Sequence, residues 1–410
     1  MPGIYIHIPF CKQACHYCNF YFSTARKHRV GFTDALLKEI ALQKDFLWDG
    51  TVGRVAGDPV VHASVVAGMA DEVPVQPADG MEVVRRVDSI YFGGGTPSLL
   101  PVEELEKVFS ELSDYYTFDA NTEITLEANP DDLTREKLLA LRQTPVNRLS
   151  IGIQSFREAD LRYMNRVHTP DQAVRSISDA QEMGFDNLTV DLIYGTPTLD
   201  DARWRENLER VVAMGILHVS AYALTVEKKT ALDVMIRRGS VAPVDDDQAA
   251  RQFEIMVDIL EGHGYDHYEV SNFGKPGFHS RHNLSYWTGE AYLGLGPSAH
   301  SYRNGQRWWN VSNMAAYIAA VGQGWVPAET EVLTPQQQFD EYVMTSLRTM
   351  WGCDLSVVKQ RWGAERVSHM LEEARSNRDK GWLMLDEGKL RLTWTGRLFA
   401  DRVASDLFWV

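Results

Sequence analysis

The sequence predicts an α/β protein, a partial (β/α)6 barrel followed by a C-terminal mixed α+β, winged-helix-like region. Three observations carry this. Short β-rich runs at 4–8, 87–92, 124–127, 148–153, 188–193 and 218–224 alternate with helical patterns, as successive βα units do. Polar residues such as Glu127, Gln154 and Asp191 fall within or at the end of apolar runs, where a parallel barrel keeps its chemistry. The composition then changes near 265, since nine of the eleven Trp residues follow that point.

The elements follow in order. Strand 4–8 leads into a cysteine-bearing loop and a first helix. Residues 50–83 are rich in Val, Ala, Gly and Pro without a clear period, and read as a surface insertion before the second strand, with 60–66 a candidate short strand. After 87–92, Val102, Leu105, Val108, Phe109 and Leu112 share one helical face, and Pro101 suits the first turn. Thr169-Pro170 opens a later helix that Gly184 stops. Towards the end the pattern predicts a helix over 336–347 and two more after 354. A hairpin over 383–392 turns at Asp386-Glu387-Gly388, and a last helix starts at Thr395. The expected units are 1–265 for the barrel with its insertion, 266–330 for a linking region and 331–410 for the winged-helix-like end.

Apolar residues make up 44% of the 410 and charged residues 24%, enough to bury a core. Lys plus Arg is 41 against 56 Asp plus Glu, a net charge of −15 that argues against general nucleic-acid binding and anionic membrane adhesion. No window approaches the ~18 apolar residues of a membrane span. The N-terminus has neither a basic segment nor a small-residue cleavage site, so no secretory signal is read there. The four cysteines are Cys11, Cys15, Cys18 and Cys353. A disulfide scaffold would spread and pair them, so an intracellular metal or redox centre is expected. Isolated Cys353 reads as a buried structural thiol.

Cys11, Cys15 and Cys18 form a C-x3-C-x2-C loop just after the first strand. Thiolates this close can wrap one face of a compact cluster, and soft sulfur suits iron–sulfur or zinc. Three ligands on a four-iron cube leave one iron open. The alternative is zinc completed by His16 or Cys353.

This loop, with Tyr17 before its last Cys, resembles the radical S-adenosylmethionine superfamily. The flanking words, Tyr5-Ile6-His7-Ile8-Pro9-Phe10-Cys11 and Phe92-Gly93-Gly94-Gly95-Thr96-Pro97, are similar to the branch holding oxygen-independent coproporphyrinogen III oxidase and its haem-chaperone relatives. The resemblance implies a [4Fe-4S] cluster on Cys11, Cys15 and Cys18. It also implies S-adenosylmethionine contacts from Tyr5, Gly94, Gly95, Thr96, Glu127, Gln154, Arg166 and Asp191.

Two features resemble the chaperones rather than the oxidase. The oxidase pattern has a further Cys two residues after the third, where this chain has Phe20, and the first Cys here is already residue 11. A third is the H-N-x-x-Y word, which in that branch implies haem binding by His282, Asn283 and Tyr286, with His300 an alternative axial ligand. The implied function is a cytoplasmic haem chaperone delivering haem to apo-haemoproteins such as respiratory oxidases or reductases, without nucleic acid. The reading leaves room for a homodimer and for peripheral contact at the inner face of the membrane. Its rivals are the oxidase, which decarboxylates coproporphyrinogen propionates, and another radical enzyme of unknown substrate.

Overall fold

The computed structural model describes residues 2–24, 31–48 and 85–409; the predicted insertion at 50–83, with its candidate strand, lies outside them. Six parallel strands stand side by side in chain order: β1 (Gly3–Ile8), β2 (Ser89–Gly94), β3 (Glu123–Ala128), β4 (Arg148–Gln154), β5 (Leu188–Tyr194) and β6 (His218–Ala223). Helices connect them: α1 (Phe32–Leu42), α2 (Val102–Ser113), α3 (Arg135–Leu141), α4 (Glu158–Tyr163), α5 (Pro170–Glu182) and α6 (Asp201–Ala213). After β6 come α7 (Ala231–Arg237) and α8 (Asp246–Gly262).

The strands have a period of two with both faces buried. Ile4, Ile6 and Ile8 of β1, Leu149, Ile151 and Ile153 of β4, and Leu188, Val190 and Leu192 of β5 join the core with the helices. The alternate residues are polar and satisfy one another across the strands. Arg148 donates to Thr125 (3.3 Å) and to Thr189, Thr189 bonds His218 (3.1 Å), and Ser150 donates to Asp191 (3.1 Å). That inner face explains why carboxylates interrupt apolar runs.

The sheet stays open, as a partial barrel requires. Beyond β6 lie two antiparallel strands, β7 (Asp266–Glu269) and β8 (Asn272–Gly274), with β8 against β6. On the other flank β1 pairs in parallel with β9 (Tyr292–Leu295), which continues into antiparallel β10 (His300–Arg303), β11 (Gln306–Asn310) and β12 (Ala328–Val332). Helix α9 (Arg281–Thr288) precedes β9, and α10 (Met314–Gly322) follows β11. Buried Glu39 of α1 fastens this linking region by accepting from Gly296 N–H (2.7 Å), the Asn310 amide (2.6 Å) and the Tyr317 hydroxyl (2.5 Å).

A second core gathers Phe339, Val343, Leu347, Cys353, Leu390 and Leu407. It joins α11 (Pro335–Leu347), α12 (Leu355–Trp362), α13 (Ala364–Asp379) and α14 (Ala400–Asp406) to a small sheet in the order β13 (Cys353–Asp354), β15 (Lys389–Leu392), β14 (Leu383–Asp386). The hairpin turns where Glu387 and Gly388 both take positive φ, 47° and 75°. The last predicted helix opens as a 3-10 turn over Thr395–Phe399 before α14. Among the described residues no helix is long and apolar enough to cross a membrane.

Candidate metal centre and its surroundings

The cysteine loop leaves β1 and is closed at its neck by Cys11 N–H to Ser23 O (3.1 Å) and Ser23 N–H to Pro9 O (2.6 Å). Lys12 pins one side, bonding Asp131 at 2.6 Å and pairing with Asp132 beyond β3. The other side is held by the segment after α4: the Asn165 amide donates to Ala14 O (2.7 Å), and the His16 ring bonds Tyr163 O (2.9 Å). Tyr17 packs on the small cluster of Leu161, Met164, Ile193, Leu224 and Leu232. A loop of mostly polar and sulfur residues is thus held from several strand ends at once.

Two sulfurs already receive hydrogen-bond donors. The Thr96 hydroxyl points to Cys11 Sγ (3.7 Å) and the Arg166 guanidinium to Cys15 Sγ (3.4 Å). Asn129 bridges these two residues: its amide nitrogen donates to Thr96 (3.1 Å) and its oxygen accepts from Arg166 (2.5 Å). Arg166 also donates to Gly152 O (2.9 Å), while its buried Nε has no partner. The donor set, three soft thiols with cationic and hydroxyl donors behind them, fits a thiolate-bound iron–sulfur cluster. Cys353 is buried in the C-terminal core, so that thiol does not complete the set. His16 has one ring nitrogen committed to Tyr163. No three His, Cys, Asp or Glu side chains among the described residues converge as a single-ion site needs.

The glycines answer to close packing at the same rim. A Cβ on Gly94, whose φ is 107°, would fall 2.5 Å from the His7 ring; one on Gly95 would fall 2.8 Å from the Phe10 carbonyl oxygen. The close approach visible here is to the protein's own groups. Gly94→Ala is expected to lower stability by at least ~2 kcal/mol, from the positive φ and the overlap together. Urea unfolding measures this, and an unchanged midpoint would mean that His7 swings aside freely.

Glu127 accepts from Gly94 N–H (3.2 Å) and the Tyr91 hydroxyl (2.8 Å). Burial, then the neighbouring Asp191, pushes its carboxyl up to about 7. Burial also raises Asp191, which Ser150 bonds. Gln154 ends β4 with a φ of 63°, a left-handed backbone that is uncommon for a non-glycine residue, at a break in the β4–β5 register. Tyr5 lies deeper in the barrel, with its hydroxyl on His7 Nδ1 (3.1 Å). The structure therefore brings Cys11, Cys15, Gly94, Gly95, Thr96 and Arg166 into one neighbourhood, with Cys18 on the same loop and Glu127, Gln154 and Asp191 at or below the rim. Sequence reasoning passed over Asn129, Lys12, Asp131 and Asp132. An Asn-Pro pair after a strand was the only signal for Asn129.

His282, Asn283 and Tyr286 lie at the opposite end. Glu123, at the start of β3, accepts from Ser280 Oγ (3.3 Å), Arg281 N–H (3.0 Å) and His282 N–H (3.0 Å), and so holds the first turn of α9. Glu127 lies four steps along β3 from Glu123, about 13 Å at ~3.3 Å per residue. His282 is buried with both ring nitrogens engaged, Nδ1 with Ser89 Oγ (2.9 Å) and Nε2 with the Tyr286 hydroxyl (2.8 Å). Burial, helped by Arg148, lowers its pKa to about 3, so the ring is neutral. To bind iron through Nε2 it must release Tyr286. His300 is exposed on β10 beside Trp309.

A partial parallel βα barrel with a three-cysteine loop after its first strand defines the radical S-adenosylmethionine class. Residues 5–211 match the model of the Radical SAM superfamily, and 333–399 match that of the HemN C-terminal domain. The chain is 31% identical to the heme chaperone HemW of Bacillus subtilis (strain 168), covering 98% of both chains. It is 33% identical to the heme chaperone HemW of Mycobacterium tuberculosis (strain ATCC 25618 / H37Rv), covering 99% of this chain and 94% of that one. Its fold matches coproporphyrinogen III oxidase (HemN) from Escherichia coli with a TM-score of 0.77 at 21% identity, over 99% of this chain and 90% of that one. The chain belongs to the radical SAM superfamily and, within it, to the HemW family.

Proposed function

We infer that this protein is a haem chaperone that binds haem on a [4Fe-4S] radical SAM scaffold and delivers it to apo-haemoproteins. The observation that carries the reading is similarity along nearly the whole chain to proteins named heme chaperone HemW. Phe20 where the oxidase pattern has a further Cys, and the H-N-x-x-Y word on α9, support it. The likeness to the oxidase structure concerns the fold.

In this reading Cys11, Cys15 and Cys18 hold the cluster, whose remaining iron, when the cluster is bound, offers a coordination site for the methionine part of S-adenosylmethionine and a source of electrons. Thr96 and Arg166 steady two of the sulfurs. Glu127, Gln154 and Asp191, with Tyr5 and the Gly94–Gly95 backbone, form the surround for the rest of that cofactor. His282, Asn283 and Tyr286 contribute to haem contact. Acceptors include respiratory oxidases or reductases.

Glu127 gives the cofactor site a testable pH dependence. Its folded pKa lies above the ordinary value, so its stabilising contribution to the ligand-free protein is full below about 4.5 and is lost as pH rises through about 7. Binding a sulfonium cation favours the carboxylate and reverses the sign. S-adenosylmethionine affinity should therefore rise between about pH 6 and about pH 7.5, by up to tenfold per unit below the pKa. Calorimetry at several pH values measures this, and Glu127→Gln should flatten the profile. A flat wild-type profile would remove Glu127 from the site.

The function itself is tested by haem transfer. Protein reconstituted without oxygen should take up haem stoichiometrically and pass it to an apo-haemoprotein, whose own spectrum then appears. Haem retained on the donor, or none taken up, contradicts the reading.

A further inference from the structure

The barrel and the C-terminal unit meet at a cleft of about 200 Å³. Its floor is β7, and one wall is the turn after α11. These are tied by Met350 N–H to Tyr268 O (3.1 Å) and by a bridge between Glu269 and Thr349. Three guanidinium groups line it, Arg348, Arg391 and Arg397, among the apolar Met350, Met384 and Leu392.

Each arginine has an acidic neighbour: Asp401 for Arg348, Asp386 for Arg391 (2.5 Å) and Glu261 for Arg397 (2.6 Å). These carboxylates stand at the solvent rim, with the Asp401 side chain 78% exposed, and such pairs hold weakly. A guanidinium has five N–H donors, so donors remain for a second carboxylate. Glu269 lines the floor as well; its carboxyl accepts from the Asn272 amide and Ser271 N–H, burial raises it to about 7, and the nearby Arg348 works against that rise.

The cleft adjoins the H-N-x-x-Y helix. Arg348 lies over the ring of Trp287, 5.9 Å from its centroid, and Trp287 directly follows Tyr286. Met350 and Met384 are 43% and 44% exposed, and Trp351 beside them is 37% exposed. Arginines set beside an exposed apolar surface suit a flat apolar molecule with carboxylates along one edge.

We propose that this cleft receives the propionate carboxylates of haem on Arg348, Arg391 and Arg397, with the macrocycle against the exposed Met350, Met384 and Trp351. The proposal rests on the haem reading above and names the part of the protein that recognises the carboxylate edge. A space of this size takes that edge rather than the whole macrocycle.

The test titrates haem, and separately protohaem dimethyl ester, into full-length cluster-loaded protein, followed by Soret absorbance. Wild type should bind haem at least about tenfold more tightly than the ester. R348Q/R391Q should lose that preference, the ratio of haem to ester affinity falling towards one. R348K/R391K should recover part of it, since it keeps charge without the planar fork. Equal wild-type affinity for haem and ester overturns the proposal, as does a preference retained in R348Q/R391Q. The wild-type comparison decides even if the double variant fails to fold. No haem binding by wild type overturns the haem reading itself, and this proposal with it.

Discussion

Cys15→Ala is expected to lose iron and sulfide to background and with them the broad visible absorption of the reconstituted protein. The reasoning is a matter of ligand count. Three thiols lie on the loop, and the remaining cysteine is buried in the core around Phe339 and Leu390. With Cys15 gone, two sulfurs remain for a cube that needs three from the protein. The substitution also strips Arg166 of its sulfur contact and leaves a buried guanidinium bonded to Asn129 and Gly152 alone. Cys353→Ala, by contrast, should keep iron and sulfide at wild-type levels and cost only packing. Iron and sulfide analysis on oxygen-free preparations separates the two. Full retention in Cys15→Ala would undo the ligand assignment, and loss in Cys353→Ala would show that the C-terminal thiol takes part.

The second large effect concerns Glu123→Ala. One buried carboxylate takes three hydrogen bonds from the start of α9. Its removal leaves a hydroxyl and two backbone N–H groups facing a barrel interior already occupied by Arg148, and the expected loss is ~3–5 kcal/mol. Urea unfolding should show it as a lower midpoint for the barrel. Glu123→Gln should recover part, since its amide oxygen still accepts. Because the same turn sets the His282 ring between Ser89 and Tyr286, haem bound by the folded variant should show an altered spectrum. A midpoint within ~1 kcal/mol of wild type would mean that water replaces the carboxylate and that α9 is held by its packing instead.

Much of the barrel was legible because its strands are short, periodic and bounded by breakers. Ile4, Ile6 and Ile8 point to the helices, and Thr169-Pro170 builds a capping box with Gln172 where a helix start was read. The C-terminal hairpin was legible because Glu387-Gly388 is a turn pair. What stayed hidden depends on contacts between distant segments. Lys12 finds Asp131 119 residues away, and Glu123 finds His282 159 residues away. Neither pairing leaves a local pattern. Asn129 reads as a turn residue until the fold sets it between Thr96 and Arg166. Gln154 carries its left-handed backbone at a strand end that sequence alone draws as regular. The H-N-x-x-Y word carries no sign of its surroundings: on α9 His282 is buried and bonds the hydroxyl of Tyr286, which is itself exposed.

Haem handling on a radical SAM scaffold and porphyrinogen oxidation on the same scaffold differ in what the loaded protein does with coproporphyrinogen III. Coproporphyrinogen III, S-adenosylmethionine and reductant are given to the cluster-loaded protein without oxygen, with haem binding measured on the same sample. A haem chaperone takes up haem stoichiometrically and forms no protoporphyrinogen IX; clear conversion of coproporphyrinogen III would make the protein an oxidase instead.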